Sequence, residues 1–285
     1  MQNATREFWA PERTLPVSIK RRLQQLPFAQ YAYGRARSLL GRREAATVFE
    51  NVGDYARALY RKDDEGVVLR THDGLEVAIR QNRWDAEIVR EIFFEQPYTR
   101  HLRLPPDPVV VDVGGYIGDF ALYAAKYLGA RRVVAYEPTY ENFAMLERNI
   151  ALNGYGNRIT AVRKAVGDSD EVVLNVEKLD GDEVHVSPYW YAEAEQRTLP
   201  SVTLEELFDT HGLDSVDLLK VDCEGGEYDI FPSTPDAVLD RVENIAFEYH
   251  EIDGYESKLE QVLNRLSSAG FRLREEGKIV SAARA

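Results

Sequence analysis

Val109-Val110-Val111-Asp112-Val113-Gly114-Gly115-Tyr116-Ile117-Gly118 decides the fold of this chain. An unbroken apolar run rich in β-branched residues, too short for a helix and closed by glycines, reads as a strand buried on both faces of a parallel sheet. The glycines then give a tight turn and a helix start. A second apolar run, Val133 to Tyr136, ends at Glu137. A carboxylate in that place can accept both hydroxyls of a ribose. The two segments together predict a nucleoside-cofactor site at the carboxyl edge of an open α/β sheet.

The spacing of the glycines indicates which nucleoside. Pyrophosphate binding wants G-x-G-x-x-G at a helix N-terminus, and Val113 stands where the first of those glycines belongs. Asp112 adds a fixed negative charge at the strand end, which repels a diphosphate. The same charge suits the ammonium and sulfonium groups of S-adenosylmethionine, whose amino-acid tail needs close backbone approach at Gly114 and Gly115. The rival readings are a nicotinamide-dependent oxidoreductase and a non-catalytic cofactor-binding protein of the same fold.

Composition narrows the class further. The chain has 285 residues, 44% of them hydrophobic and 29% charged, enough for a sizeable core in an ordinary globular protein. No apolar run is long enough for a transmembrane segment, and the first residues lack the apolar centre of a signal peptide, so a cytoplasmic protein is expected. The lone Cys223 excludes an intrachain disulfide and a thiolate zinc cage. A net charge of −13 argues against a nucleic acid partner. Against that acidity, residues 1–46 hold nine basic and three acidic side chains. Such a segment is either a solvated face or a docking surface for something acidic, such as a carrier protein, a nucleotide-linked sugar or an anionic membrane surface.

Two parts are expected along the chain: a helical and β-hairpin N-terminal extension over 1–104, and the cofactor-binding domain over 105–285. In the first, short helices are predicted within Ser18 to Leu40 and over Val48 to Tyr60. A hairpin turns at Asp73-Gly74, and an amphipathic helix covers Ala86 to Glu95. After Leu104-Pro105-Pro106-Asp107-Pro108 strands and helices alternate: strands at Val109–Val113, Arg132–Tyr136, Ile159–Val162, Val216–Val221 and Ile245–Tyr249, with an irregular stretch from Glu177 to Pro200. The chain closes on a hairpin, Phe271–Arg274 and Ile279–Ala282. That ending predicts a doubly wound, mostly parallel seven-stranded sheet of the class I methyltransferase (Rossmann-like) type with an antiparallel C-terminal strand.

Four segments carry a resemblance: Asp112 to Phe120, Tyr136 to Phe143, Ala165-Val166-Gly167-Asp168, and Leu219-Lys220-Val221-Asp222-Cys223-Glu224-Gly225-Gly226-Glu227. Over about residues 84–250 the chain resembles the FkbM-type methyltransferases, which move methyl from S-adenosylmethionine to hydroxyl groups, often of sugars or polyketides. The Lys-x-Asp-x-Glu-Gly-x-Glu element is the most specific part; Gly115-Tyr116 departs from the family's usual Ala-Asn. The resemblance implies that Gly114, Gly115 and Gly118 line the methionine half, that Glu137 takes the ribose with Asn142 in support, and that Val166 and Asp168 lie near the adenine. It also implies a small-molecule hydroxyl acceptor from natural product biosynthesis.

The chemistry is expected at the tips of the fourth and fifth strands, where Asp222, Glu224, Glu248 and His250 should converge. A hydroxyl must lose its proton as it is methylated, and a carboxylate or His250 can take it. The alternative is a Mg²⁺ ion held by Asp222, Glu248 and His250, polarising the acceptor hydroxyl. A purely structural reading also stands, with Lys220, Glu224 and Glu227 as an ion-pair network. Tyr189-Trp190-Tyr191, within the irregular stretch, is expected to be a lid over the acceptor, an anchor for its loop or a homodimer contact.

Overall fold

The computed structural model describes residues 45–60, 66–80, 83–178, 184–187, 195–252 and 254–284. The chain divides into two units, Met1–Thr47 and Val48–Ala285, and all that follows concerns the second. The expected helices of Ser18 to Leu40, most of the basic segment and the Tyr189-Trp190-Tyr191 cluster lie outside the described residues.

The second unit opens with helix α1 (Val52–Tyr60), the hairpin β1 (Val67–Arg70) and β2 (Glu76–Ile79), and helix α2 (Arg83–Arg90). The Asp-Gly turn predicted the hairpin correctly, and Gly74 takes φ +85° there. The amphipathic helix differs in two ways from expectation. It starts at Arg83, and its last turn, Glu91–Glu95, is π-helical, ending at Gln96 in the left-handed region. A π turn inserts one residue into the helical repeat and re-aims the side chains around it, which apolar periodicity does not encode.

The sheet follows: β3 (Val109–Val113), α3 (Asp119–Lys126), β4 (Arg132–Tyr136), α4 (Tyr140–Leu152), β5 (Ile159–Val162) and β6 (Ala165–Val166). The chain continues through β7 (Glu171–Lys178), β8 (Val184–Ser187), β9 (Glu195–Val202), α5 (Leu204–Thr210) and β10 (Leu218–Val221). It ends with α6 (Glu227–Ser233), α7 (Asp236–Leu239), β11 (Asn244–Glu248), α8 (Tyr255–Ser268), β12 (Phe271–Glu276) and β13 (Ile279–Arg284). Seven strands form one sheet in the order β12-β13-β11-β10-β3-β4-β5. β13 alone runs antiparallel to its neighbours, as the closing hairpin predicted.

β3 lies between β10 and β4, parallel to both, and all five of its residues are buried, which explains its unbroken apolar run. One face of the sheet, with Val111, Val113, Leu219, Val221 and Phe247, packs on Leu207, Phe208, Phe231, Val262 and Leu266. Each such side chain contributes about 1.5–3 kcal/mol by burial. That apolar face holds the sheet, so the strand tips are free to carry charge. Strand order reverses direction at β3, and there the tips of β3, β4, β10 and β11 open a crevice.

Two sequence expectations need correction. Glu177 to Pro200 is not irregular throughout, because β8 and β9 pair with β7 in a second sheet of order β6-β9-β7-β8. β9 opens on Glu195-Gln196-Arg197-Thr198, polar residues with no apolar alternation to read; pairing with β7 makes it a strand. The strand expected from Val216 begins at Leu218, with Val216 in a single bridge to Val242.

The N-terminal hairpin is docked on the sheet domain by two amides one helical turn apart. Asn149 of α4 accepts from the Ala78 N–H at 2.7 Å and donates to the Ala78 carbonyl at 3.0 Å; Asn153 does the same for Glu76 at 2.9 and 2.6 Å. These side chains replace a neighbouring strand along β2, so an edge that would otherwise be bare is satisfied. Among the described residues no helix is long and apolar enough to cross a membrane.

Candidate active site

A cavity of about 320 Å³ opens at the switch point. The segments around Gly114, Glu137, Val166, Asp222 and His250 line it, together with α2 and its π turn.

Of the expected cofactor residues, Gly114, Glu137, Asn142, Val166 and Asp168 line this cavity, and Asp112, Gly115 and Gly118 do not. The last two are packing glycines. A Cβ on Gly118 would stand 2.6 Å from Leu146 Cδ1, and one on Gly115 would touch Ala135 and Leu146 at 3.5 Å. They let α3 and α4 close against β3. Gly114 is different: it sits at φ +81° with its α-carbon against the β10 tip, where a Cβ would lie 1.7 Å from the Asp222 carbonyl oxygen. Asp112 is fully buried beneath the cavity and paired with Lys220 at 3.0 Å, so its charge does not face a ligand. The sequence argument for a negative charge at the strand end must therefore find another residue.

Glu137, 4% exposed, is held at the second tip. Its Oε1 accepts from the Thr139 N–H at 3.0 Å and the Thr139 hydroxyl at 2.6 Å, and its Oε2 accepts from the Tyr116 N–H at 3.0 Å. Burial raises its pKa, and those hydrogen bonds pull it partly back. A carboxylate has about four acceptor directions, which leaves Oε2 able to accept a hydroxyl from the cavity. Asn142 stands 3.5 Å from Oε1 as expected, and it also accepts from Arg80 Nη1 at 2.9 Å.

Arg80 belongs to an assembly the sequence did not reveal. Asp85, fully buried, accepts from Arg80 Nε at 3.0 Å, Arg80 Nη2 at 2.9 Å and the Tyr116 hydroxyl at 2.7 Å. Tyr116 lies at φ +46°, a costly conformation for a non-glycine residue. The Asp85 bond and the Glu137 bond hold it there. Residues of the N-terminal segment thus brace the loop after β3.

The acceptor-facing end is built from the tips of β10 and β11. Asp222, Glu224, Glu248 and His250 all line the cavity, as expected. Glu227 does not: it is fully buried and ties the two tips together, accepting from the Gly225 N–H at 2.9 Å, the His250 N–H at 2.9 Å and His250 Nδ1 at 3.2 Å. His250 Nε2 faces Glu224 at 3.5 Å and Asp222 at 3.8 Å. Burial alone would lower the His250 pKa, but the bonded Glu227, with Glu224 and Asp222, raises it to about 9. These carboxylates favour the protonated imidazole, so of the two groups expected to take the acceptor's proton, a carboxylate is the better placed. Lys220 is not in a network with Glu224 and Glu227; it pairs with Asp112 and, at 3.7 Å, with Asp222.

Glu248 suits proton transfer better. Burial, and then the neighbouring Asp222, raise its pKa to about 7. The Tyr98 hydroxyl spans the two carboxylates, 2.9 Å from Asp222 Oδ2 and 3.3 Å from Glu248 Oε2. Glu91, from the π turn, also lines this end, with a pKa raised to about 7 by burial and Asp222. Neither Tyr98 nor Glu91 has a sequence signal, because each acts through contacts more than a hundred residues away in the chain.

Asp222, Glu248 and His250 can bring one ligand atom each within 4.8 Å of one another. The donor set does not fit magnesium. Mg²⁺ prefers oxygen ligands, and here one of the three corners is an imidazole nitrogen, with His250 Nδ1 already against Glu227 at 3.2 Å.

The family model "Methyltransferase FkbM domain" matches residues 112–273, more than half of the chain. AMB antimetabolite synthetase AmbE of Pseudomonas aeruginosa is 29% identical over 58% of this chain, which spans only 9% of AmbE. Methyltransferase sdnD of Sordaria araneosa is 27% identical, covering 62% of this chain and 79% of its own. The 31-O-demethyl-FK506 methyltransferase FkbM of Streptomyces tacrolimicus is also 27% identical, covering 71% of this chain and 88% of its own.

Proposed function

The chain belongs to the FkbM family of S-adenosylmethionine-dependent methyltransferases, and from that premise we propose that it methylates a hydroxyl oxygen of a small molecule. The observation that carries this reading is the juxtaposition of Glu248, Asp222 and cationic His250 at one end of the cavity, while Gly114 and Glu137 line the rest. S-adenosylmethionine, when bound, supplies an electrophilic methyl group on a sulfonium. Gly114 lets the ligand approach the β3 backbone, and Glu137 accepts from the ribose.

On the acceptor side Asp222 and Tyr98 position the hydroxyl, and the Glu248 carboxylate would take its proton as the methyl passes to the oxygen, the sulfonium S–C bond breaking to leave neutral S-adenosylhomocysteine. A base with a pKa near the working pH combines a useful ionised fraction with useful basicity. His250 keeps a positive charge beside the oxygen as it loses its proton, which stabilises the charge developing there. No metal is needed for this, since the charge that an ion would supply is already on the imidazolium. An alcohol of a polyketide or a sugar, as the family resemblance implies, fits this reading, and one relative is named a 31-O-demethyl-FK506 methyltransferase.

Three results are expected. S-adenosylhomocysteine raises the melting temperature while NAD and NADP do not, because only a ligand of the native state stabilises it. Stabilisation by NAD alone would overturn the cofactor. Incubation with EDTA leaves turnover unchanged, and added magnesium restores nothing; a magnesium-dependent activity would return the cluster to metal binding. The methyl group is found on oxygen when the product is analysed by mass spectrometry and NMR, and methyl on carbon or nitrogen would refute the acceptor class.

A further prediction concerns Glu137→Ala. Calorimetry with S-adenosylhomocysteine should show affinity weakened by roughly 1–3 kcal/mol, through loss of a charge-assisted hydrogen bond to the ribose. Unchanged affinity in the folded variant would place the ribose elsewhere.

A further inference from the structure

The contacts around Glu137 close into a circuit that reaches back to the N-terminal segment. The Tyr116 N–H donates to Glu137 Oε2 at 3.0 Å, and the Tyr116 hydroxyl donates to Asp85 Oδ1 at 2.7 Å. Asp85 pairs with Arg80, whose Nη1 donates to Asn142 Oδ1 at 2.9 Å. Asn142 Nδ2 completes the circuit on Glu137 Oε1 at 3.5 Å. Each oxygen of the carboxylate is thus reached by one arm from the Arg80–Asp85 pair, and neither Arg80 nor Asp85 lines the cavity.

The two oxygens are not held equally. Thr139 grips Oε1 with its N–H and its hydroxyl, whereas Oε2, the oxygen with an acceptor direction left for the cavity, depends on Tyr116. Tyr116 sits at φ +46°, and a bulky residue relaxes to negative φ unless its surroundings forbid it. Here its side chain is anchored at both ends. The Arg80 guanidinium lies over its aromatic ring, 5.2 Å from the centroid, and the hydroxyl meets Asp85. Asp85 is fully buried and also accepts from the Arg80 N–H at 2.8 Å, Nε at 3.0 Å and Nη2 at 2.9 Å, which fixes where the hydroxyl must lie. Without that anchor the backbone of Tyr116 can rotate, its N–H turns away, and Oε2 loses its orientation.

We propose that Arg80, Asp85 and Tyr116 are positioning residues for the cofactor, which act through Glu137 to set the preference for a ribose bearing both hydroxyls. This rests on the reading above that Glu137 accepts from the ribose of S-adenosylmethionine. The N-terminal segment then governs cofactor recognition through residues behind the cavity wall, by holding the carboxylate in one orientation before the ligand arrives.

The test compares S-adenosylhomocysteine with its 2′,3′-dideoxy analogue, by calorimetry on the unaltered protein, Tyr116→Phe and Arg80→Lys. Tyr116→Phe removes the bond to Asp85 and keeps the aromatic ring; Arg80→Lys removes the bond to Asn142 and keeps a cation beside Asp85. The unaltered protein should prefer S-adenosylhomocysteine by roughly tenfold or more, the scale of a charge-assisted hydrogen bond. In each variant that preference should shrink to about threefold or less, while affinity for the dideoxy analogue stays nearly the same.

A circuit that only docked the N-terminal segment would behave differently. Its loss would lower the melting temperature and weaken both ligands alike, so a folded variant that keeps the full preference overturns the inference. If Tyr116→Phe does not fold, Arg80→Lys decides by the same measure. Equal affinity of the unaltered protein for the two ligands, or binding of neither, would remove the ribose or the cofactor reading and the inference with it. A preference present in the unaltered protein and intact in the variants overturns the inference alone.

Discussion

Glu248→Gln lowers kcat by about 10² or more at neutral pH, the range for loss of a general base, and leaves S-adenosylhomocysteine affinity nearly unchanged. Asp222→Asn has an effect of similar size. Its Oδ2 accepts from the Tyr98 hydroxyl and its Oδ1 faces His250, so the amide loses the charge that orders both partners. The fold survives in each case, because Lys220 keeps Asp112 and Glu227 still ties the two strand tips.

The pH profile of kcat/KM separates the roles. Glu248 must be ionised, so activity rises through about pH 7; His250 must be protonated, so activity falls above about pH 9. In Glu248→Gln the residual activity should no longer show the acidic limb. A folded Glu248→Gln variant with full activity would move the base to another group, and an unshifted acidic limb would do the same.

The second large effect is expected from Gly114→Ala, which should abolish cofactor binding and destabilise the protein by about 3 kcal/mol or more. The added methyl would overlap the Asp222 carbonyl oxygen at 1.7 Å, which no rotamer can relieve, because a Cβ is fixed to its α-carbon and the oxygen belongs to backbone. A positive φ of +81° adds strain of its own for any L side chain. The tips of β3 and β10 must then separate, and with them the Asp222 N–H to Val113 carbonyl bond of 3.0 Å that sets their register at the cavity. Chemical denaturation and a thermal shift with S-adenosylhomocysteine would read both effects. A stable variant that still binds the ligand would show that this turn tolerates displacement.

The sequence by itself determined the sheet and the position of its cofactor edge. A strand buried on both faces has to be apolar along its whole length, so Val109 to Val113 could be read without knowing its neighbours. The same holds for Glu137, since a carboxylate at the end of such a strand is costly without a task. Both are local signals of burial and turn geometry. The closing hairpin was legible for the same reason, as two alternating runs about a glycine turn.

Only the tertiary structure decided which charged groups face the ligand and in what state. Asp112 and Asp119 are seven positions apart and read alike in one dimension, yet Lys220, from a strand a hundred residues on, pairs with the first at 3.0 Å beneath the turn, while the second lines the cavity wall. His250 reads as a base until Glu227 closes on its Nδ1 and makes it a cation. The Arg80–Asp85 brace on Tyr116, and the Tyr98 hydroxyl between two carboxylates, likewise join segments remote in the chain. Hydrophobic period is a property of one segment and survives in a linear reading. The protonation and pairing of a buried charge are set by the sum of the fields of its neighbours, and those neighbours are assembled only by the fold.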